Sequence, residues 1–358
     1  IGFLDRYYCE AKDLSYLKEK MKVLVLRILE QDKKILSIFK NRQVVITGGT
    51  GLIGRQLVEI LVEYDALVRI VSLDKIAVAS EAEHIYGDLA DFNFCKQVTE
   101  GAEFIFHLAG IKGSVEVTKS KPASFFVPLL MMNTNLLEAA RLSRAKKVLY
   151  TSSIGAYSQA SIFRESDDTI EKPPMDMYPG WAKRMAEFQI KAYRQEFDLN
   201  NFSVVRPANV YGPGDNFDPE NSMVIPALMA RINSGENPLS IWGDGSAVRD
   251  FAFSRDIAYG LILAMHFGTG NGFINLGSGK ATSIKQLVET LNSFIDFDYE
   301  FDSGKSAGFS SRVMDISKAQ ELLGYNPSTS LKTGLKETWE WYQQNQSEYL
   351  SKINYFKE

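Results

Sequence analysis

Cysteine is nearly absent from this chain of 358 residues, which carries only Cys9 and Cys95, far apart in sequence. Two distant thiols supply neither a disulfide framework nor zinc-ligand spacing, and their scarcity fits a reducing compartment. Histidine is almost as rare: His84, His107 and His266 are scattered, so no metal site is expected. Long apolar runs are missing as well. The most apolar early stretch, residues 21–29, is broken by Lys22 and Arg27 and is too short to span a bilayer. Nothing resembles a secretory segment with a small-residue cleavage site. A cytoplasmic protein without a membrane partner is therefore expected. An excess of positive charge is also lacking, since 40 Lys and Arg face 44 Asp and Glu for a net charge of -4. That gives no electrostatic reason to expect nucleic acid, and leaves open only a local basic cleft for a phosphorylated small molecule.

What is present is a regular alternation of strand and helix patterns. Residues 1–40 come first and read as a helical extension, with Leu14, Leu17, Met21, Leu24 and Ile28 at three- and four-residue steps. Such a stripe packs on the main domain or on a second subunit; a membrane-surface helix is the weaker alternative, because acidic residues are interspersed with the lysines. From residue 43, apolar runs of strand length fall at 44–46, 68–73, 102–108, 147–151 and 202–206. Helical stretches lie at 54–64, 136–143 and 182–197. This order implies parallel βαβ units, hence an α/β fold with a doubly wound parallel sheet of Rossmann type. After Asn209-Val210-Tyr211-Gly212-Pro213-Gly214, loop-forming residues dominate to about residue 250, and helices return near 256–267, 283–294 and 331–344. The organisation predicted is a dinucleotide-binding domain over 41–210 with parts of 240–280. A smaller substrate-binding α/β domain, mainly 211–358, is interleaved with it.

The turn Thr47-Gly48-Gly49-Thr50-Gly51-Leu52-Ile53-Gly54 follows the first strand and opens a helix. Glycines there let the backbone approach a pyrophosphate, while the helix N-terminus offers N–H groups and a positive dipole end. Asp74 lies 20 residues past Gly54 at the end of the second strand, placed to accept hydrogen bonds from a ribose. The same carboxylate repels a 2′-phosphate, so NAD is expected over NADP, although the adjacent Lys75 keeps NADP binding open.

With these residues and those that follow, residues 43–345 resemble an extended short-chain dehydrogenase/reductase. Gly87-Asp88-Leu89 resembles the segment that holds adenine, and His107-Leu108-Ala109-Gly110 the strand end along the cofactor. Thr151-Ser152-Ser153, with Tyr157 four residues on, resembles the strand end carrying the catalytic serine. Arg206-Pro207-Ala208-Asn209 borders the nicotinamide and sugar in the same resemblance. The resemblance implies cofactor contacts from Thr47, Gly48, Gly51, Leu52, Ile53, Gly54, Asp74, Asp88, Leu89, Leu108, Ala109 and Lys183. Within that superfamily the stretches 215–228 and 241–251 resemble those of GDP-L-fucose synthases and related GDP-sugar reductases. A GDP-sugar substrate is thereby favoured, with Ser153, Asn209, Asn221, Arg231, Trp242, Arg249 and Arg312 as its contacts. Guanidinium groups suit that role because they meet phosphate oxygens with charge-assisted, often bidentate bonds. The resemblance also implies a homodimer through helices at 136–143 and 182–197.

The proton chemistry departs from the pattern. In the superfamily a tyrosine stands four residues before the lysine; here Lys183 is preceded at that spacing by Pro179, and the tyrosine is Tyr178. One residue is about 100° of helix, so Tyr178 replaces the missing residue only if it lies at or before the helix cap, as Pro179 permits. Ser153, Tyr178 and Lys183 are the candidate catalytic residues. Tyr178 serving only substrate contact, and a proton relay through Ser153 or Tyr157, are the open alternatives. The positions where GDP-L-fucose synthase carries its epimerising cysteine and histidine are Gly155 and Met223, and Ile154-Gly155 replace the acidic pair of the 4,6-dehydratases. The expected activity is thus NAD-dependent oxidation or 4-epimerisation of a nucleotide sugar at C4. A cofactor-binding subunit with little catalysis is the competing reading.

Overall fold

The structure, a computed structural model, describes residues 33–346 and 348, apart from 112, 114, 219, 220, 306 and 307. The apolar stripe of residues 14–28 lies outside the described residues. Of the extension, residues 33–40 are seen: Ile35, Leu36 and Phe39 are buried in the main core, and the Phe39 ring meets Phe104 edge-on at 4.8 Å.

Seven strands form the central sheet: β1 (Gln43–Thr47), β2 (Leu67–Ser72), β3 (Glu83–Tyr86), β4 (Phe104–His107), β5 (Lys147–Thr151), β6 (Phe202–Pro207) and β7 (Phe273–Leu276). Their spatial order is β3-β2-β1-β4-β5-β6-β7, all parallel. This is the doubly wound arrangement expected from the alternation of patterns, and the order reverses between β1 and β4. The C-terminal strand ends flanking that reversal form the crevice where such sheets bind ligands. Val44, Val45 and Ile46 are fully buried, as are Ile105 and Phe106 on β4, because helices cover both faces of the sheet.

On one face the helices Leu52–Glu63 and Ser254–Phe267 pack with residues 35–39. On the other lie Phe92–Thr99, Pro122–Leu142 and Met177–Phe197, the last two packed along each other. Pro122–Leu142 is much longer than the helix read at 136–143. It begins on Pro122, carries Pro128 inside, and is apolar on several sides from Phe125 to Met132, so no amphipathic period marks its first half. The edge strand β3, Glu-His-Ile-Tyr, has no apolar run to reveal it.

A third core gathers residues between Tyr211 and Tyr342, around the helices Val224–Asn233, Ile284–Asn292 and Leu331–Gln344. Chain crossings tie the two halves together. Residues Ile162–Phe163 pair in parallel with Ser311–Met314, which in turn pairs with Val248–Arg249. β7 returns to the edge of the main sheet after the C-terminal half has begun. Among the described residues no helix is long and apolar enough to cross a membrane.

Candidate active site

The glycine turn sits at the C-terminal ends of β1 and β4, as the resemblance implies. Gly48 has φ +69°, and a Cβ there would stand 2.9 Å from the backbone of Ala109. Gly54 is tighter: a Cβ would fall 2.1 Å from the Gly48 carbonyl oxygen. The turn therefore folds flat onto both its helix and β4, leaving backbone rather than side chains to face a ligand. Gly51 caps the helix Leu52–Glu63, so the N–H groups of its first turn open at the same place. This is a cradle that fits a dinucleotide pyrophosphate.

Asp74 lies next to this turn. The Thr50 hydroxyl donates to its carboxylate at 3.3 Å, and the Asp74 N–H donates to the Ser72 hydroxyl at 3.0 Å. Asp88 is exposed and accepts from the Ala90 N–H, whereas Leu89 is buried in the second core. Thr47 is also wholly buried. Its hydroxyl accepts from the Ala109 N–H at 3.2 Å and meets His107 Nδ1 at 2.8 Å. His107 Nε2 pairs with Asn133 Oδ1 at 2.9 Å, and the Asn133 amide donates to the Tyr150 phenol at 3.1 Å. The Asn133 amide oxygen can only accept, so Nε2 carries a hydrogen, and a neutral ring takes the Thr47 hydroxyl hydrogen on Nδ1. Burial drives its pKa down to about 3, reinforced by the Lys183 charge. The side chains of Thr47 and Leu89 thus shape the strand ends from behind.

Lys183 projects from Met177–Phe197 to the end of β5. Its ammonium donates to the Thr151 carbonyl at 2.8 Å and lies 5.1 Å over the Tyr150 ring. A Cβ on Gly110 would come 3.7 Å from its Nζ, so lysine and the β4 strand end face one another. Burial lowers its pKa to about 8, opposed by the carboxylate of Glu187 one turn on. Ser153, just past β5, caps the short turn Ile154–Ala156 by accepting from the Gly155 N–H at 3.0 Å. Its hydroxyl hydrogen remains to be donated elsewhere.

Behind these groups is a buried charge knot. The Arg206 guanidinium, 1% exposed, pairs with Glu187 at 2.7 Å and Asp168 at 3.0 Å, and Arg184 pairs with the same Asp168 at 3.1 Å. Glu187 also accepts from Ser152. The knot fixes the end of β5 to the helix that bears Lys183. None of its members was singled out as a site residue in sequence except within the stretch 206–209; charged residues so far apart give no spacing signal.

Tyr178 is placed otherwise than a tyrosine paired with Lys183 would be. The helix is already regular at Met177, so the five-residue step to Lys183 turns Tyr178 about 140° away from it. Its ring is 45% exposed and meets Phe126 edge-on at 6.3 Å. Tyr157, the alternative relay, is buried and donates to Asn275 Oδ1 at 2.9 Å.

The residues named for substrate divide into two groups. Arg249 and Arg312 are register partners on adjacent strands, and burial with the neighbouring Arg312 charge lowers the pKa of Arg249. Arg312 reaches Asp176, the cap of the Lys183 helix, at 2.8 Å. Asn209 holds the Asp250 carbonyl at 3.1 Å, and the Asn221 amide oxygen would lie 3.0 Å from a Cβ on Gly113, beyond the β4 strand end. Arg249 and Arg312 thus lie together, with Asn209 beside Asp250, the residue after Arg249, and Asn221 past the end of β4. Arg231 is engaged elsewhere, by Glu236 and the Ser240 carbonyl, while Trp242 is 55% exposed beneath the Lys305 ammonium. Asp176 carries little signal in sequence: one acidic residue just before a helix reads as an ordinary N-cap, yet its side chain makes no cap hydrogen bond and turns to Arg312 instead.

Comparison with known proteins agrees with this geometry. The profile of the NAD dependent epimerase/dehydratase family matches residues 44–277. A probable GDP-L-fucose synthase 1 of Oryza sativa subsp. japonica is 30% identical over 86% of this chain and 93% of its own length. The crystal structure of a UDP-glucose 4-epimerase from Thermotoga maritima, with UDP-glucose, has a TM-score of 0.76 at 28% identity, covering 85% of this chain and 99% of that one. MoeE5 in complex with UDP-glucose and NAD gives 0.74 at 27% identity, with 85% and 99% covered. The chain belongs to the NAD dependent epimerase/dehydratase family and is an enzyme of the extended short-chain dehydrogenase/reductase type.

Proposed function

We propose that this protein is an NAD-dependent nucleotide-sugar oxidoreductase or 4-epimerase acting by hydride transfer at sugar C4. The observation that carries the reading is the position of Lys183 and Ser153 at adjacent points of the β5 end, between the glycine cradle and the Arg249–Arg312 pair. Gly48, Gly51, Leu52, Ile53 and Gly54 would hold the pyrophosphate through backbone N–H groups, with Asp74 on the adenosine ribose and Asp88 near adenine. Leu108 and Ala109 would line the path toward nicotinamide. When bound, nicotinamide accepts a hydride from the sugar carbon and can return it.

The remaining work falls to this chain's own groups. Lys183 would orient the nicotinamide ribose and supply positive charge beside the reacting oxygen, and Ser153 would donate its hydroxyl hydrogen to the sugar oxygen. Arg249 and Arg312, with Asn209 and Asn221, would seat the nucleoside diphosphate and sugar, a GDP-sugar by the closeness to GDP-L-fucose synthases. The carboxylate of Asp74 favours NAD over NADP. A homodimer is supported by exposed apolar side chains on two neighbouring helices, Val127 and Met131 on one and Met185 and Phe188 on the other. A cytoplasmic site of action accords with the scarcity of cysteine.

The test is incubation with NAD and a panel of GDP-, UDP-, CDP- and dTDP-sugars, following NADH absorbance and sugar products. Turnover of one member with loss or inversion at C4 is expected. Bound cofactor with no turnover across the panel would instead establish the competing reading, a cofactor-binding subunit with little catalysis, which the outward position of Tyr178 favours.

A further inference from the structure

Two empty places in the expected machinery lie side by side: Pro179, where a tyrosine is expected, and Gly155, where the epimerising side chain of the relatives is expected. One carboxylate fills the space at Gly155. A Cβ built on Gly155 would overlap Asp176 Oδ2 at 2.3 Å, so Gly155 must lack a side chain for Asp176 to be where it is. The placement is held by backbone. Asp176 N–H donates to the Gly155 carbonyl at 3.2 Å and Met175 N–H to the Tyr157 carbonyl at 2.7 Å, while Gly180 lets the helix start settle onto the same turn.

Asp176 stands at the start of the helix that bears Lys183. Its carbonyl accepts the first intrahelical bond, from Gly180 N–H, while its own backbone, at φ -97° and ψ 79°, is not helical, and Lys183 follows about 10 Å along the helix axis. On the opposite side its carboxylate is paired with Arg312 at 2.8 Å, and the side chain is 36% exposed. It therefore joins the Ser153 turn to the arginine pair at the start of the Lys183 helix, and is partly exposed.

We infer that Asp176 is the acid/base of this enzyme, exchanging a proton with the sugar hydroxyl in place of the missing tyrosine, with Arg312 orienting its carboxylate. This rests on the oxidoreductase reading above. In the oxidising direction, the sugar O–H bond breaks and its proton passes to a carboxylate oxygen of Asp176, directly or through Ser153. The C4–H electron pair leaves as hydride to oxidised nicotinamide, and the C4–O bond becomes a carbonyl; the sugar is oxidised and the nicotinamide reduced. The reverse step returns the proton from Asp176 to the alkoxide oxygen.

The decisive comparison is between Asp176→Asn, which keeps the size and an oxygen for Arg312, and Tyr178→Phe. We expect Asp176→Asn to lower kcat by about 100-fold or more, with Tyr178→Phe within about threefold of wild type. Asp176→Glu should recover part of the lost rate. A second measurement needs no turnover: calorimetric affinity of the cofactor-free protein for UDP and GDP against UDP-glucose and GDP-mannose. A carboxylate that touches the sugar predicts about tenfold weaker binding of the preferred sugar nucleotide to Asp176→Asn, with the matching nucleoside diphosphate, which Arg312 meets, bound no more weakly than by wild type. Wild-type kcat in Asp176→Asn, a 100-fold loss in Tyr178→Phe, or equal loss of both ligand types would each overturn the inference. If wild-type protein turns over nothing, the oxidoreductase reading fails, and the binding pair alone decides whether Asp176 touches the sugar.

Discussion

The glycine turn at 47–54 and the start of the helix Met177–Phe197 stand over the same edge of one sheet, yet they encode their sites in opposite ways. The turn presents backbone. What it needs is the absence of side chains at a few consecutive positions, and Gly48 and Gly54 meet that need within one stretch of chain. The helix start presents side chains, and where they point depends on elements far away in sequence: the turn 154–156, the strand Ser311–Met314 and the helix Pro122–Leu142. A site built from backbone tolerates variation in the residues around it. A site built from side chains can move its key group from one position to another while the scaffold behind it stays the same, as we infer for position 179 and Asp176.

Four experiments sharpen this contrast. The largest effect is expected at Lys183, where both regions meet. Lys183→Met should lower kcat by about 1,000-fold, because a charge beside the reacting oxygen and an orienting group are lost together. Its pH dependence carries the sign: with the pKa pushed down to about 8, the ammonium loses its proton as pH rises through that value. The rate of wild-type enzyme should therefore fall above about pH 8, and a rate that stays level to pH 10 in stopped-flow measurements would show that the charge is not used.

Next in size is the turn. In Gly54→Ala the new Cβ would stand 2.1 Å from the Gly48 carbonyl oxygen, and the flat turn must open. Overpacking of that kind costs 1–3 kcal/mol, which corresponds to a loss of NAD affinity of about 100-fold at its upper end, read by fluorescence titration. If instead Gly54→Ala binds NAD normally, the cradle is not the pyrophosphate site. The difference between this variant and Asp176→Asn is itself informative, since the first should remove cofactor binding and the second should leave it intact.

Those experiments also mark what was legible in the sequence. The doubly wound order, the glycine cradle and Asp74 follow from local patterns, because period, turn chemistry and strand ends are properties of neighbouring residues. Lys183 followed from the resemblance. What was not legible needed tertiary placement. The four-member chain Thr47–His107–Asn133–Tyr150 joins residues more than a hundred positions apart, and the outward turn of Tyr178 depends on a helix that begins one residue before it. Asp176 resembles any helix cap until Gly155 and Arg312 are seen beside it.

The buried chain gives the third effect, on stability. His107 is neutral and fully enclosed, while in the unfolded chain it takes a proton near pH 6.5. Between about pH 6.5 and pH 3 the unfolded state thus binds more protons, so stability is full above this window and falls as pH drops into it. The slope is about 1.4 kcal/mol per pH unit, or about 2 kcal/mol between pH 6.5 and 5. Unfolding free energies from urea titrations at the two pH values should differ by that much less in His107→Gln than in wild type. Equal slopes would mean that the histidine is protonated in the fold and the hydrogen-bond order runs the other way.

The smallest effect, and the finest, belongs to Asp74. Its carboxylate is held at the turn by the Thr50 hydroxyl, and Lys75 beside it is exposed. Two hydrogen bonds from a ribose to a carboxylate are charge-assisted, so Asp74→Ser should weaken NAD by about tenfold and no more, since a serine hydroxyl still accepts one of them. The same change removes the repulsion of a 2′-phosphate and leaves Lys75 to meet it. NADP should then gain on NAD, and the ratio of the two dissociation constants is the measurement that matters. Tighter binding of NADP than NAD by wild-type protein would overturn the role given to Asp74 without touching the glycine cradle, because the pyrophosphate contacts are common to both cofactors. That separation is the sharpest form of the contrast between regions: on the proposed reading backbone contacts would fix that a dinucleotide binds, and a single side chain would decide which one.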